Sequence, residues 1–438
     1  MRKIAILLVL VLLFSALSLT LTSCSDNTVT LNVYNWGEYI SDGFEGMLDT
    51  NALFEEYFNK NLSQKYGYKV EINYTTYATN EDMYSKLSSG SGEGVYDVIF
   101  PSDYMLQRMA EEGMLHSFNV EEEIPNYKYI IDEFKGMYYD TEEQYSVPYT
   151  YGMVGIIYNP TLMNPEDLDE NGEIKDKSWS LLWNEDYKGK ILQFNNPRDA
   201  FATAMFYKGI DINTADRNEW LEALDALRVQ KDILQGYVND EIFNKMTSDS
   251  ATIAPYFAGD YITMTEDNEN LKFYYPEEGT NVFIDAMCIP ESSHNKEIAK
   301  EYINFMLSEE VAVANALYIG YASPNSLVIN SEEYKEELGE EAYDILYNYK
   351  TPEDIEEACG FSPYYRSFSN ESVYGEDMQQ YVNGLWEQLK TETDVEIWVH
   401  VASITIVVAV VAGCSYNIYI KKKRSKFYRQ RDKEAKKA

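Results

Sequence analysis

Six short segments carry residue types that could hold a ligand: Tyr34-Asn35-Trp36-Gly37-Glu38-Tyr39, Pro101-Ser102-Asp103-Tyr104, Asn196-Pro197-Arg198-Asp199, Phe257-Ala258-Gly259-Asp260, Phe283-Ile284-Asp285 and Ile319-Gly320-Tyr321. Between them they set aromatic rings beside carboxylates and small polar groups. A primary or secondary ammonium is strongly hydrated. A site can take it out of water only with anionic acceptors near the nitrogen and aromatic faces along the methylenes. The residue types therefore predict a pocket for an aliphatic polycation.

The elements that must position these segments are legible around them. Leu31-Asn32-Val33-Tyr34 and Val70-Glu71-Ile72-Asn73-Tyr74 alternate as strands do, and Ala52 to Leu62 between them has helical spacing. A further helix is expected to open near Asn80 with Asn80 as its cap, and Tyr96-Asp97-Val98-Ile99-Phe100 reads as an apolar strand stopped by Pro101. An open α/β sheet follows, and in such sheets ligands bind beyond the carboxyl ends of the strands. Trp36 to Tyr39 and Ser102 to Tyr104 occupy that position. Ile191-Leu192-Gln193-Phe194 running into Asp199, and Asn281-Val282-Phe283 running into Asp285, are expected to be further strand ends delivering carboxylates.

Catalytic patterns are absent from the chain: there is no G-x-S-x-G, H-E-x-x-H or P-loop, and the histidines, His116, His294 and His400, are too scattered for a triad or a zinc site. Asp167-Leu168-Asp169-Glu170-Asn171-Gly172 opens like a calcium loop, with Asp167, Asp169 and Asn171 as candidate ligands, but the twelfth position is Ser178 where a bidentate Glu is expected. An insertion loop with Asx turns is the simpler reading. Trp179, Trp183 and Trp220 have apolar neighbours and read as core. Cys288 lies in an apolar run and reads as a buried thiol, with a bridge to Cys359 as the alternative.

The termini set a topology. Met1-Arg2-Lys3 followed by an apolar run to about Leu21 reads as a signal peptide (residues 1–24), and Leu21-Thr22-Ser23-Cys24 resembles a bacterial lipobox, in which Cys24 would be lipidated. A second apolar stretch, 397–420, is long enough to cross a bilayer as a helix, and the basic tail 421–438 after it would be cytoplasmic. The segment between them would lie outside the cell membrane. The chain carries 36 basic and 73 acidic residues, a formal charge of −37. So acidic a chain excludes a nucleic-acid partner and draws cations to its surface.

In order along the chain, the six segments are joined by Tyr145-Ser146-Val147-Pro148-Tyr149, Tyr187-Lys188-Gly189-Lys190, Tyr275-Pro276-Glu277-Glu278-Gly279 and Tyr321-Ala322-Ser323-Pro324-Asn325. Together they resemble the spermidine/putrescine-binding proteins of bacterial ATP-driven polyamine importers from about Thr30 to Lys390. The resemblance implies an α/β, bilobal periplasmic-binding-protein (type II) fold, with residues 25–148 and 286–322 in one lobe, 149–285 and 323–392 in the other, and the ligand cleft between them. It implies a polyamine ligand, the permease subunits of an ABC transporter as partner, and no cofactor or catalysis. Carried over by position, Trp36, Tyr39, Phe257 and Phe283 belong to an aromatic box that Tyr321 closes. Glu38 lies near one amine, Ser102 and Tyr104 line a wall, and Asp199 and Asp285 grip amines. Asp260 resembles the form of putrescine-type members. The departures are Asn196, where spermidine-type members carry an acid, and Phe257 and Phe283, where tryptophan is frequent; the family's C-terminal polar contact is not placed among Arg366 to Glu371. The competing expectations are a receptor of the same fold for another cationic or metal-chelate solute, and a membrane-tethered sensor or scaffold.

Overall fold

The computed structural model describes residues 27–348 except 215, residues 378–392, and isolated positions between 405 and 423. The chain divides into two compact units, Met1–Gly384 and Leu385–Ala438. The sheet and the candidate site belong to the first.

Alternation in the N-terminal segment produces β1 (Thr28–Trp36) and, after the helix Thr50–Asn61, β2 (Lys69–Tyr77), paired in parallel with Leu31 opposite Ile72. Asp49 starts the intervening helix by accepting the Ala52 N–H at 2.9 Å, a cap that contributes about 1 kcal/mol. The short β3 (Val98–Ile99) lies parallel to β1 on its other side. Next comes β4 (Ser146–Tyr158), thirteen residues buried at every position, whose small, apolar and aromatic side chains suit a strand covered on both faces. Pro148 cannot donate to a ladder, and the register shifts between Pro148 and Thr150. A second parallel set follows in β5 (Ile191–Phe194), β6 (Leu234–Val238) and β7 (Ile253–Phe257), with β8 (Lys272–Tyr274) beside β4. Last is β9 (Val282–Cys288). The sheet order is β2-β1-β3-β9-β4-β7-β5-β6. Two parallel halves are thus joined through antiparallel β4 and β9.

The β-α-β opening and the strands stopped by Pro101 and leading into Asp199 stand as expected. Two details differ. Asp285 does not follow a strand end; it lies inside β9, opposite Thr150 of β4. The cap of the helix Asn80–Ser88 is Thr79, whose hydroxyl accepts the Asp82 N–H, because Asn80 spends its side chain on Ser102. Trp179 and Trp220 are core residues, whereas Trp183 is half-buried and stacks on Tyr207. Cys288 is buried and free; its alternative partner Cys359 lies outside the described residues, as do Cys24, the whole of 1–24 and Arg366 to Glu371. Among the described residues no helix is long and apolar enough to cross a membrane. Most of 397–420 is not described, so the expected span gains no support from the structure.

Candidate functional site

Residues that follow the carboxyl ends of four parallel strands touch one another. Trp36, the last residue of β1, donates its indole N–H to the Phe100 carbonyl at 2.8 Å and leans on Tyr77, and the turn brings Tyr39 beside it with ring centroids 6.5 Å apart. Tyr39 is the hub. Its hydroxyl donates to Asp285 Oδ2 at 2.6 Å and lies 2.7 Å from Thr150 Oγ1, while its ring meets Tyr149 and Tyr321 edge-on. Burial and the neighbouring carboxylate push the Tyr39 hydroxyl well above the ordinary tyrosine pKa, so it remains a donor at any physiological pH.

Tyr321 forms the facing wall. Its hydroxyl donates to Asp260 Oδ2 at 2.5 Å, and its ring meets Phe257 and Phe283 at centroid distances of 6.4 and 5.6 Å. Two glycines make this arrangement possible. A Cβ on Gly259 would lie 1.6 Å from the Tyr321 ring, and one on Gly152 would lie 2.6 Å from the Phe283 ring. Both phenyl-type walls therefore rest directly on backbone. Phe257 at the end of β7 packs on Phe283 at 5.2 Å, completing a cage of Tyr39, Phe257, Phe283 and Tyr321.

The carboxylates around the cage are costly to bury. Desolvation raises the pKa of Asp285, opposed by the hydroxyls of Ser102 and Tyr39 and by the charge of Arg198. Its Oδ1 is buried with no hydrogen-bond partner. Desolvation pushes Asp260 up to about 7, opposed by the Tyr321 hydroxyl. Asp103 is likewise pushed up to about 7 by burial, with Arg198 pulling the other way.

Beside this lies a second cluster. Asn196 caps the helix Pro197–Lys208: its Oδ1 accepts the Asp199 N–H at 2.8 Å, and its amide donates to Asp199 Oδ2 at 2.9 Å. The other oxygen, Oδ1, receives Asn281 Nδ2 at 3.4 Å and lies 3.5 Å from Arg198 Nε. The Arg198 guanidinium in turn lies 4.6 Å from the centre of the Tyr104 ring. Ser102 is buried and bonded to Asn80, and it forms an antiparallel bridge with Asp285.

The structure thus gathers Tyr39, Phe257, Asp260, Phe283, Asp285 and Tyr321 in one place, with Trp36, Ser102, Tyr104 and Asp199 around it. Glu38 is separate. It is exposed, at a left-handed φ of 50°, and accepts the Tyr318 hydroxyl at 2.6 Å. The calcium-loop candidates are engaged within their own loop, as the simpler Asx-turn reading expects. Asp169 spends its Oδ1 on the N–H groups of Asn171 and Glu173, Asp167 accepts the Tyr187 hydroxyl, and the described residues hold no cluster of three metal-ligating groups. The loop is an Asx-turned hairpin closed by a Leu168–Ile174 bridge. Thr150, Asp103 and Asn281 had no assigned role in the sequence reading. Thr150 acquires one only through register with Asp285, which no local pattern announces.

Residues 56–339 match the family described as bacterial extracellular solute-binding protein. The spermidine/putrescine-binding periplasmic protein of Salmonella typhimurium is 30% identical over 310 residues, covering 71% of this chain and 81% of its own. A putrescine-binding periplasmic protein of Escherichia coli is 25% identical over 326 residues, covering 71% and 82%. Among solved structures, the spermidine/putrescine ABC transporter substrate-binding protein of Streptococcus pneumoniae superposes with a TM-score of 0.59 at 28% identity, covering 82% of this chain and 98% of that one.

Proposed function

The chain belongs to the bacterial extracellular solute-binding proteins, which share the periplasmic-binding-protein fold and are receptors rather than an enzyme class, and from that premise we propose that it binds a polyamine outside the cytoplasm and delivers it to an ABC importer. The observation that carries the reading is the pairing of two carboxylates, Asp285 buried and Asp260 half-buried, with two touching tyrosines. Tyr39 holds Asp285 and Tyr321 holds Asp260, and both rings line an aromatic cage. Such a site offers anionic acceptors for ammonium groups and π-faces for the methylenes between them.

Each ammonium–carboxylate contact contributes about 1.5–3 kcal/mol. Micromolar affinity corresponds to about 8 kcal/mol. Two such contacts with burial of a methylene chain, at about 0.8 kcal/mol per CH₂, suffice. Asp285 is already out of water, so folding has met the carboxylate's desolvation and the ligand has only its own hydration to lose. Residues 25–148 and 286–322 would form one lobe and 149–285 with 323–392 the other. The hinge would be β4 and β9, the strands that join the two parallel halves. A lipid on Cys24 and a membrane helix over 397–420 would hold the receptor near its permease at high effective concentration.

The test is calorimetric titration of the full-length protein in detergent with putrescine, spermidine, spermine and a monoamine, at two salt concentrations. Saturable micromolar or tighter binding of a polyamine is expected. Absence of binding to all four would overturn the polyamine assignment and leave the family and fold untouched.

A further inference from the structure

On the side of β9 away from β4, strand pairing stops short of the cage. β3 is two residues long and pairs Ile99 with Cys288, after which the chain runs on beside β9. The Pro101 carbonyl accepts the Ala286 N–H at 3.1 Å, and Ser102 bridges Asp285. The same antiparallel register puts Asp103 opposite Ile284. There the backbone turns into the helix Asp103–Glu111, which engages its own carbonyls, and no strand carbonyl is left for the Ile284 N–H. The Asp103 side chain supplies the acceptor. Its Oδ2 receives the Ile284 N–H at 3.3 Å and its Oδ1 the Tyr104 N–H at 2.6 Å. Asp103 is 5% exposed and Ile284 1%, so bulk solvent cannot stand in for the carboxylate.

We propose that Asp103 is a positioning residue for the polyamine site: its carboxylate takes the place of a strand carbonyl on the edge of β9 and so holds Phe283 and Asp285 against Tyr39 and Tyr321. The inference rests on the polyamine reading and deepens it. Successive strand residues point to opposite faces, so Phe283 and Asp285 share the cage face while Ile284 between them is the point of attachment. A buried N–H left without an acceptor is costly, so loss of the carboxylate should move β9 at Ile284. That movement carries Asp285 from the Tyr39 hydroxyl and Phe283 from the Gly152 backbone. A carboxylate is itself costly in this place. Desolvation pushes Asp103 up to about 7 and the Asp285 charge adds to the rise, while the Arg198 charge and the two N–H groups oppose it. Backbone donors engage both Asp103 oxygens, whereas Asp285 keeps an Oδ1 that no donor reaches. The two acids therefore divide the work: one holds the strand and the other faces the ligand.

The experiment titrates putrescine and spermidine into the full-length protein and its Asp103→Ala, Asp103→Asn and Asp285→Asn variants, and into the double variant Asp103→Ala with Asp285→Asn. The melting temperature reports folding, and deuterium exchange is read on the peptide that contains Ile284. Asp103→Ala is expected to lower affinity about tenfold and to speed that exchange. Asp103→Asn keeps a carbonyl oxygen for the Ile284 N–H and should lose less. The double variant separates positioning from a general structural role. With Asp285 already neutral, the loss caused by Asp103→Ala should shrink to about threefold or less, whereas a general role would lower both backgrounds equally. Should Asp103→Ala fail to fold, Asp103→Asn takes its place, with a smaller loss that shrinks in the same way. Wild-type affinity in a folded Asp103→Ala protein, unchanged exchange at Ile284, or an undiminished loss beside Asp285→Asn overturns the assignment of Asp103 while leaving the polyamine reading intact. No binding of either polyamine by the wild type removes both.

Discussion

At the scale of single residues, the site carries ionisable groups whose protonation opposes its function. Asp260 is pushed up to about 7 by desolvation, so near neutral pH a substantial fraction is uncharged and cannot pair with an ammonium. A bound cation favours the carboxylate form and lowers that pKa, which releases a proton on binding. Affinity should therefore rise with pH and approach a plateau above 7; between pH 8 and 6 it should fall about tenfold for one such group. The enthalpy measured at pH 6.5 should depend on the ionisation enthalpy of the buffer, and a pH-independent affinity with no buffer dependence would contradict the assignment of Asp260. Asp285 and Asp199 separate by a different criterion. Asp285→Asn removes a buried, half-satisfied charge, so it should lower affinity at least tenfold and leave the melting temperature unchanged or raised. Asp199→Asn removes a charge that faces the shielded Arg198 and disturbs the helix start that Asn196 organises, so it should lower the melting temperature as well. Equal thermal stability of the two variants would mean that Arg198 does not depend on Asp199.

At the scale of elements, the cage exists because two rings lie on glycine backbone. Gly259 sits in the first turn of the helix Ala258–Asp267, and an added methyl would occupy the Tyr321 ring. Gly259→Ala should force Tyr321 away from Asp260 and reduce affinity more than tenfold. Tyr321→Phe, which keeps the ring and removes only the hydroxyl, should cost less; a Gly259→Ala protein with wild-type affinity would show that the Tyr321 position is not needed. These elements also show which parts of the structure a sequence can announce. Period-two and helical spacing locate β1, the helix Thr50–Asn61 and β2 to within a few residues, because burial repeats along each, whereas β5, buried at all four positions, is legible only as an apolar run ahead of Asn196. Asp285 was recognised by its neighbours but misplaced at a strand end, because its burial inside β9 comes from pairing with β4, more than a hundred residues away. The cap at Thr79 was missed by one residue because Asn and Thr both serve as caps; only the claim of Ser102 on Asn80 separates them. Glu38 lies apart from the buried carboxylates because a left-handed turn turns it toward Tyr318, and no spacing rule encodes that direction.

At the scale of the whole molecule, the two proposed anchors would set where the receptor works. The unit Leu385–Ala438 includes described helical positions Val408, Val410, Val411, Tyr416, Ile418 and Tyr419 that are 56–66% exposed, with Lys421, Lys422 and Lys423 following. Large apolar side chains so exposed along a helix are unfavourable in water, about 25 cal/mol for each Å², and favourable in hydrocarbon. A basic cluster immediately after them is what the cytoplasmic face of a membrane retains. The lipid proposed on Cys24 would be a second anchor, so a single truncation cannot distinguish the two. Four forms separate them: the full chain, the chain ended at Glu392, the Cys24→Ser variant, and the two changes combined. The full chain and each single change should be recovered in the membrane fraction and resist extraction by high salt or alkaline carbonate. The combined form should be soluble and retain polyamine affinity, since the cage lies wholly within the first unit. A full chain that is soluble without detergent would eliminate both anchors. A Cys24→Ser chain released by alkaline carbonate would leave the lipid as the tether and remove the membrane role of 397–420.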